Sequence, residues 1–216
     1  MSGTVSAPRA RRPRNSLTVD GILDIAEGVA AGGIESLTIR AVAAELKSSP
    51  MALYRYFGTK DELVDSLLNR VLGRMEPPPE STSWIDDLGT FARNHRDLLT
   101  RHQWAVSGLF AHPAPGTNAL PIGEWALRIL ERGGITGDAA VAAFSGIVAL
   151  NYGWSSFVVA RAAGAGESLA DNLADPGVAQ AFPLTASVAV PMGRYGSVDH
   201  YELVLGQLLR GVAASA

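Results

Sequence analysis

Apolar positions recur at intervals of three and four along most of the chain, and that spacing predicts helices rather than strands. Ile22, Ile25, Ala26 and Val29 mark one side of a helix that begins at Thr18 or Val19 and ends near Ala31, stopped by Gly32-Gly33. Ile39, Val42, Ala43 and Leu46 predict a second, short helix, with Thr38 placed to cap it through its hydroxyl. Ser49-Pro50 opens a third: a capping residue, then the imino acid that leaves no N–H unpaired at the first helical position. That helix carries residues 51–57, with Leu53 and Phe57 on one face. Thr59-Lys60-Asp61-Glu62 has the form of a capping box and starts a fourth helix through Val64, Leu67, Leu68 and Val71. The run Glu76-Pro77-Pro78-Pro79-Glu80-Ser81 cannot continue a helix and reads as a stiff spacer.

Beyond the spacer the helical pattern returns. Trp84, Leu88, Phe91, His95 and Leu98 share a face up to about Arg101, and short helices follow around residues 104–110 and 122–132, with a Pro/Gly loop at 112–116 between them. Between Asp138 and Arg161 lie twenty-two uncharged residues, enough in length to span a bilayer. Ser145, Asn151, Ser155 and Ser156, the lack of strongly basic flanks, and an Ala/Gly-rich composition favour instead a central helix, covered by its own chain or a second one. Ala142, Gly146, Ala149 and Gly153 form a small-residue stripe along it. Residues 163–197, rich in Gly and Pro, read as a lid or mobile connection. A final helix begins near Ser197 and repeats Tyr201, Val204, Leu205, Leu208, Leu209 and Val212.

Composition narrows the class. A chain of 216 residues, 47% hydrophobic and 18% charged, can bury a core of its own, and with no cysteine it has neither a disulfide framework nor a thiol nucleophile. The net charge of -3 hides an asymmetry: eight Lys/Arg stand against five Asp/Glu through residue 60, and ten against sixteen beyond it. Residues 1–16 hold Arg9, Arg11, Arg12 and Arg14 among Pro, Ser and Gly, and read as a disordered basic arm that either reaches DNA phosphates and the minor groove or is a solvated tail. No apolar run follows these charges as it would in a secretory signal, so a cytoplasmic location is expected.

The basic segment also carries the chemistry. Two short helices meet at a tight polar turn, and the second presents Tyr54, Arg55 and Tyr56, whose hydroxyl and guanidinium tips suit phosphate oxygens and base edges. That is the helix-turn-helix arrangement, although an ordinary helical hairpin with Tyr54 and Tyr56 as packing residues fits the same spacing. The run LTIRAVAAELKSSPMALYRYFGTKDELV resembles the DNA-binding signature of the tetracycline-repressor (TetR) family of transcriptional regulators. The resemblance implies an all-α chain: an N-terminal three-helix helix-turn-helix DNA-binding domain over 17–72, a Pro-rich linker over 73–83, and a C-terminal helical ligand-binding and dimerisation domain over 84–216. It implies further that Arg40 reaches a guanine, that Tyr54, Tyr56 and Phe57 close the recognition helix, and that Lys60 holds a phosphate. The expected DNA-binding set is Thr38, Arg40, Ser48, Ser49, Met51, Ala52, Tyr54, Arg55, Tyr56 and Lys60. One departure stands at the turn, where Lys47 occupies a position that the family often gives to Gly. A non-Gly residue with positive φ there costs about 1 kcal/mol.

The runs LRILERGGI and YELVLGQLLRGV resemble the C-terminal domain of the tetracycline-repressor branch, which implies a four-helix dimer interface built from the last two long helices of each of two subunits. Catalysis finds no support: His95, His102, His112 and His200 form no close metal pattern, and neither a nucleophile elbow nor a phosphate-cradling glycine loop is present. Neither a metal nor another cofactor is expected. Phe91, His95, Trp104, Phe110, Trp125 and Phe144, with Asn151, are candidate pocket residues for a largely apolar or aromatic small molecule, and core packing is the alternative for each. The repressor's metal-coordinating histidines have no convincing counterpart, so magnesium-tetracycline is not implied. The expectation is a homodimer that binds a palindromic operator in double-stranded DNA, represses transcription and is released by a small-molecule effector, without a membrane. A helical protein-interaction module, or an activator without a small-molecule ligand, remains the alternative.

Overall fold

The computed structural model describes residues 17–113, 115–162, 172, 175–194 and 196–215, so the basic arm expected over residues 1–16 and the start of the expected mobile connection lie outside the described residues. Among the described residues the regular elements are all helices. α1 (Val19–Ala30), α2 (Ile39–Glu45) and α3 (Pro50–Leu53) form the N-terminal bundle with α4 (Lys60–Leu72). α5 (Trp84–Arg101), α6 (Gln103–Ala111), α7 (Ala119–Arg132) and α8 (Gly137–Ala162) make the body, and α12 (Val198–Ala213) closes it against α5 and α8.

Local chemistry sets the helix starts. Thr18, Thr38, Ser49, Thr59, Ser83 and Ser197 each accept a backbone N–H of the turn that follows. At α4 the box is modified: Thr59 accepts from Glu62 N, while the Glu62 carboxylate accepts from Gly58 N at 2.6 Å rather than from the cap residue. One apolar core runs through both halves, from Ile22, Leu37 and Leu53 through Leu67 and Leu68 to Phe91, Leu98, Leu109 and Leu130.

One expectation is corrected. The region read as a connection with little regular pattern contains three short helices, α9 (Pro176–Ala181), α10 (Pro183–Ser187) and α11 (Ala189–Gly193). Two of its prolines start helices instead of breaking them: Pro176 and Pro183 take the first helical position, and the Asp175 side chain accepts from the N–H groups of Gly177 and Val178. The long apolar helix α8, which by length and composition could cross a bilayer, is covered by its own chain on one side only. Ala140, Ala143, Ile147, Asn151, Trp154 and Ser155 are buried, whereas Val141, Ala142, Ser145, Ala149 and Phe157 are exposed. The small-residue stripe is therefore open along much of its length.

α4 joins the two halves with two sets of side chains. Arg70 and Arg74, four residues apart, face α1: Arg70 reaches Asp24 Oδ1 at 2.5 Å, and Arg74 grips Glu27 with two hydrogen bonds of 2.5 and 2.6 Å. This pairing holds the Glu27 carboxyl below its usual range. Asp65 and Asn69, also four apart, face the body: Asp65 meets His112 Nδ1 at 2.6 Å, and Asn69 clasps Asn118 at the start of α7. The clasp is reciprocal, with Asn118 N donating to Asn69 Oδ1 and Asn118 Nδ2 donating to Asn69 O, both at 2.8 Å. Gly73 and Gly116 allow it, since a Cβ on either would come within 2.5 Å of the partner amide.

Candidate DNA interface and ligand cavity

The turn between α2 and α3 ends its helix with a reciprocal backbone lock: Ser48 N donates to Ala43 O at 2.9 Å and Lys47 N to Ala44 O at 3.0 Å. This lock puts Lys47 at φ 51, the only positive φ among the described non-glycine residues. The sequence had singled out this position. Ser49 then caps α3 and Pro50 fills its first position, so the chain reverses within three residues of the lock. α3 stops at Leu53, so the helix expected over residues 51–57 is shorter than the spacing predicted and Tyr54, Arg55 and Tyr56 lie on the turn that follows it; Leu53, and Phe57 just beyond that turn, are both buried and pin this segment to the core.

On the outward surface Thr38, Arg40, Ser49, Met51, Tyr54, Arg55, Tyr56 and Lys60 are exposed, while Ser48 and Ala52 are half-buried. Met51, at 73% exposure, is an apolar side chain in the midst of polar ones, the kind of group that meets a thymine methyl. Tyr54 and Tyr56 differ in a way that spacing alone did not reveal. The Tyr56 hydroxyl donates to Leu17 O at 2.5 Å, tying α3 to the residue that precedes α1. In this arrangement its proton points to the Leu17 carbonyl, not outward to solvent.

The body holds a cavity of about 480 Å³ between the end of α4 and helices α5, α7 and α8. Leu72, His95, Leu120, Ile122, Phe144 and Tyr152 are on its wall. Of the seven pocket residues expected from sequence, His95 and Phe144 line it. Phe91 is fully buried behind the wall, with ring centroids 6.4 Å from both His95 and Phe144. Asn151 is also fully buried and reaches the wall only through His95. Phe110 lies edge-on to Tyr152 at 5.2 Å with 57% of its surface exposed, Trp104 sits against His102, and Trp125 is half-buried outside the lining. Aromatic side chains at helical spacing do not announce which side of a helix faces a void. The α7 residues Leu120, Ile122 and Leu127 escaped the sequence reading because aliphatic side chains there look like any other core positions.

His95 is set by a buried polar chain. Tyr201 Oη donates to Asn151 Oδ1 at 2.8 Å, and Asn151 Nδ2 lies 2.9 Å from Ala92 O and 3.0 Å from His95 Nδ1. A carbonyl only accepts, so the atom beside Ala92 O must be the amide nitrogen, and His95 Nδ1 receives its second N–H. A neutral ring that accepts at Nδ1 carries its proton on Nε2. Burial pushes the imidazole pKa down to about 4, so this state holds at neutral pH. Burial likewise raises Tyr201 above the ordinary phenol value, which keeps it a donor.

An exposed helix-turn-helix on one helical bundle and a partly open cavity in a second helical body are the architecture of a DNA-binding regulator. Sequence comparison makes the class specific. The family profile described as bacterial regulatory proteins, tetR family, matches residues 22–67, and the profile for the tetracyclin repressor-like C-terminal domain matches residues 76–216. The chain belongs to the TetR family of transcriptional regulators.

Among its relatives, the HTH-type transcriptional repressor DrrR1 of Streptomyces coeruleorubidus is 35% identical over 137 residues, covering 62% of this chain and 51% of that protein. The chain thus spans about half the length of this curated relative. Apo ActR from Streptomyces coelicolor superposes with a TM-score of 0.82 at 27% identity, over 94% of this chain and 97% of the other. The same protein in complex with actinorhodin gives 0.80 at 27% identity, over 93% and 98%.

Proposed function

We propose that this regulator is a homodimeric repressor whose two α3 helices enter successive major grooves of a palindromic operator, and that a small, largely apolar or aromatic effector in the α4–α8 cavity releases it. One observation carries this reading. The cavity wall includes Leu72, the last residue of the helix whose first residue is Lys60, on the DNA-facing surface. Thirteen residues of helix, about 20 Å, connect the two. An occupant that pushes on Leu72 or on the start of α7 tilts α4 through the Asn69–Asn118 clasp and changes the separation of the two reading heads. It lowers operator affinity by its differential affinity for the two arrangements and by no more.

The open stripe on α8 and the half-exposed apolar side of α12 supply the surface for the second copy, and a two-fold dimer requires a palindrome. His95 Nε2–H is the donor offered to the occupant; apart from Glu124 on the rim, whose carboxylate accepts from Arg128 Nε at 2.8 Å, the wall is mostly apolar and selects for apolar area. The similarity to a protein crystallised with actinorhodin supports a small-molecule occupant. Within the reading head, Arg40 reads a base, Lys60 holds a phosphate, and Tyr54, Arg55, Met51, Thr38, Ser49, Ser48 and Ala52 shape the fit. Tyr56 acts by holding α3 against Leu17 instead of donating to DNA. The protein acts in the cytoplasm.

Selection of bound fragments from a random DNA pool tests the reading. The expected result is a palindrome with half-sites about one helical turn apart, or a multiple of it. On the selected site Arg40→Ala relaxes preference at one position per half-site by about 1–3 kcal/mol, while Lys60→Ala weakens all sequences alike and flattens the salt dependence. Recovery of no enriched sequence, or of an unpaired asymmetric one, overturns the dimeric operator-binding role.

A further inference from the structure

A second, partly open cavity of similar size, about 480 Å³, lies on the other side of α5 and α8, bordered by Arg194, Gly196, Ser197 and the start of α12. It shares no lining residue with the first. Its described wall holds two guanidinium groups, Arg96 and Arg194, two hydroxyl-bearing residues of the long helices, Thr100 and Ser155, and no carboxylate. Trp154, Val158 and Val198 form its apolar part.

Two features mark it as more than a packing gap. Ser155 is 2% exposed, and its Oγ has no hydrogen-bond partner. A hydroxyl taken from water into a helical core without a partner forfeits its hydration, and native proteins almost always compensate such a group. Arg96 is oriented in advance: its guanidinium lies 4.4 Å from the centroid of the Tyr201 ring, and one nitrogen contacts Asp97 at 3.1 Å. Of the carboxylates nearby, Asp97 is half exposed, and Glu202 is held by Arg93 through three hydrogen bonds of 2.8–3.1 Å. The planar donor fork of Arg96 retains N–H groups beyond the one facing Asp97, and such forks match carboxylates.

We propose that this second cavity is a binding site for a small organic carboxylate with an aromatic or branched apolar body. The carboxylate sits between Arg96 and Arg194 and accepts from the Ser155 hydroxyl, while the apolar body lies against Trp154 and Val158. The inference goes beyond the operator-release reading and does not depend on it, because binding here is measured without DNA.

The test is calorimetric titration of the full-length protein with 1-naphthylacetate, 1-naphthylacetamide and inorganic phosphate, with Trp fluorescence as a second readout. The carboxylate is expected to bind at least tenfold more tightly than the neutral amide and than phosphate. Arg194→Ala weakens it about tenfold, and Ser155→Ala weakens it several-fold while leaving the unliganded protein as stable as before or more so. That pairing separates a ligand role from a structural one, since a structural hydroxyl would cost stability when removed. Leu120→Trp, which fills the first cavity from its rim, leaves the affinity unchanged. Equal binding of acid and amide, tighter binding of phosphate, or a loss of affinity in Leu120→Trp with none in Arg194→Ala overturns the proposal. So does a Ser155→Ala protein that is destabilised yet binds normally.

Discussion

The buried chain Tyr201–Asn151–His95 makes a sharp claim about stability. Tyr201→Phe removes one oxygen and keeps the ring that carries Arg96 at 4.4 Å and meets Trp154 edge-on at 5.9 Å. What it leaves is Asn151 Oδ1, fully buried, with its 2.8 Å donor gone. An orphaned buried acceptor costs about 1–3 kcal/mol, so about 2 kcal/mol is expected. Asn151→Leu conserves volume but strands two groups, the Tyr201 hydroxyl and His95 Nδ1, and should cost about twice as much. The Ala92 carbonyl, in the middle of α5, keeps its helical partner in either variant.

The double variant strands only His95 Nδ1. Its cost should fall back to about 2 kcal/mol, well below the sum of about 6 kcal/mol from the single changes. Urea unfolding followed by circular dichroism and Trp fluorescence measures the cycle, at one protomer concentration so that association does not enter. An additive double variant, with the two changes summing to within about 0.5 kcal/mol, would refute the coupled chain. A Tyr201→Phe protein as stable as the parent would refute the bond itself.

Three further outcomes follow from the same geometry. Because burial lowers His95 from 6.5 to about 4, the unfolded chain takes up a proton in that interval and the folded chain does not. Stability is full above pH 6.5 and is lost as pH falls, by about 3 kcal/mol at pH 4, and His95→Gln should flatten this part of a urea-midpoint profile. Lys47→Gly relieves a side chain at φ 51 and should raise the unfolding free energy by roughly 0.5–1 kcal/mol after the glycine's larger unfolded-state entropy is counted, so a lowered urea midpoint contradicts the turn geometry. Asn69→Ala removes the side-chain half of the clasp, the bond from Asn118 N to Asn69 Oδ1, and Asn118→Ala removes the other, from Asn118 Nδ2 to Asn69 O; in the double variant amide exchange should accelerate along Lys60–Leu72 while α5 and α8 keep their protection. Unchanged exchange in α4 would remove the clasp from the coupling route.

The N-terminal half was legible because its signals are local. A hydroxyl cap followed by an apolar repeat, or a Ser-Pro pair, acts through bonds between neighbours in sequence, so Thr38, Ser49-Pro50 and Thr59 announced helix starts that the backbone then formed. Lys47 was legible by resemblance alone, as the position that the family often gives to Gly, and the backbone explains that preference: its N–H and that of Ser48 close the end of α2 with φ 51 at Lys47. The cavity was not legible, because lining depends on which side of α7 faces α8, and Leu120 and Ile129 look alike in sequence while one is 70% exposed and the other buried. Nor was the role of Tyr56, whose partner Leu17 lies thirty-nine residues away. Pro176 and Pro183 misled because proline breaks a helix interior and starts a helix at its first position, and composition does not distinguish the two.

The placement of Asn151 has a consequence for how the body responds to occupants. It stands on the side of α8 that faces α5, one residue from Tyr152 on the wall of the first cavity and three from Trp154 on the wall of the second. Its amide fixes His95, which faces the first cavity, and receives Tyr201, whose ring carries Arg96, which faces the second. A ligand that pulls Arg96 off the Tyr201 ring weakens the packing that aims the Tyr201 hydroxyl at Asn151, and a ligand that draws on His95 Nε2–H strengthens the bond His95 Nδ1 accepts. The same chain leaves α4 out. In the proposed mechanism the DNA-facing surface is reached from the first cavity, whose wall includes both Leu72 of α4 and the start of α7, where Asn118 meets Asn69, and no residue of that wall lines the second cavity.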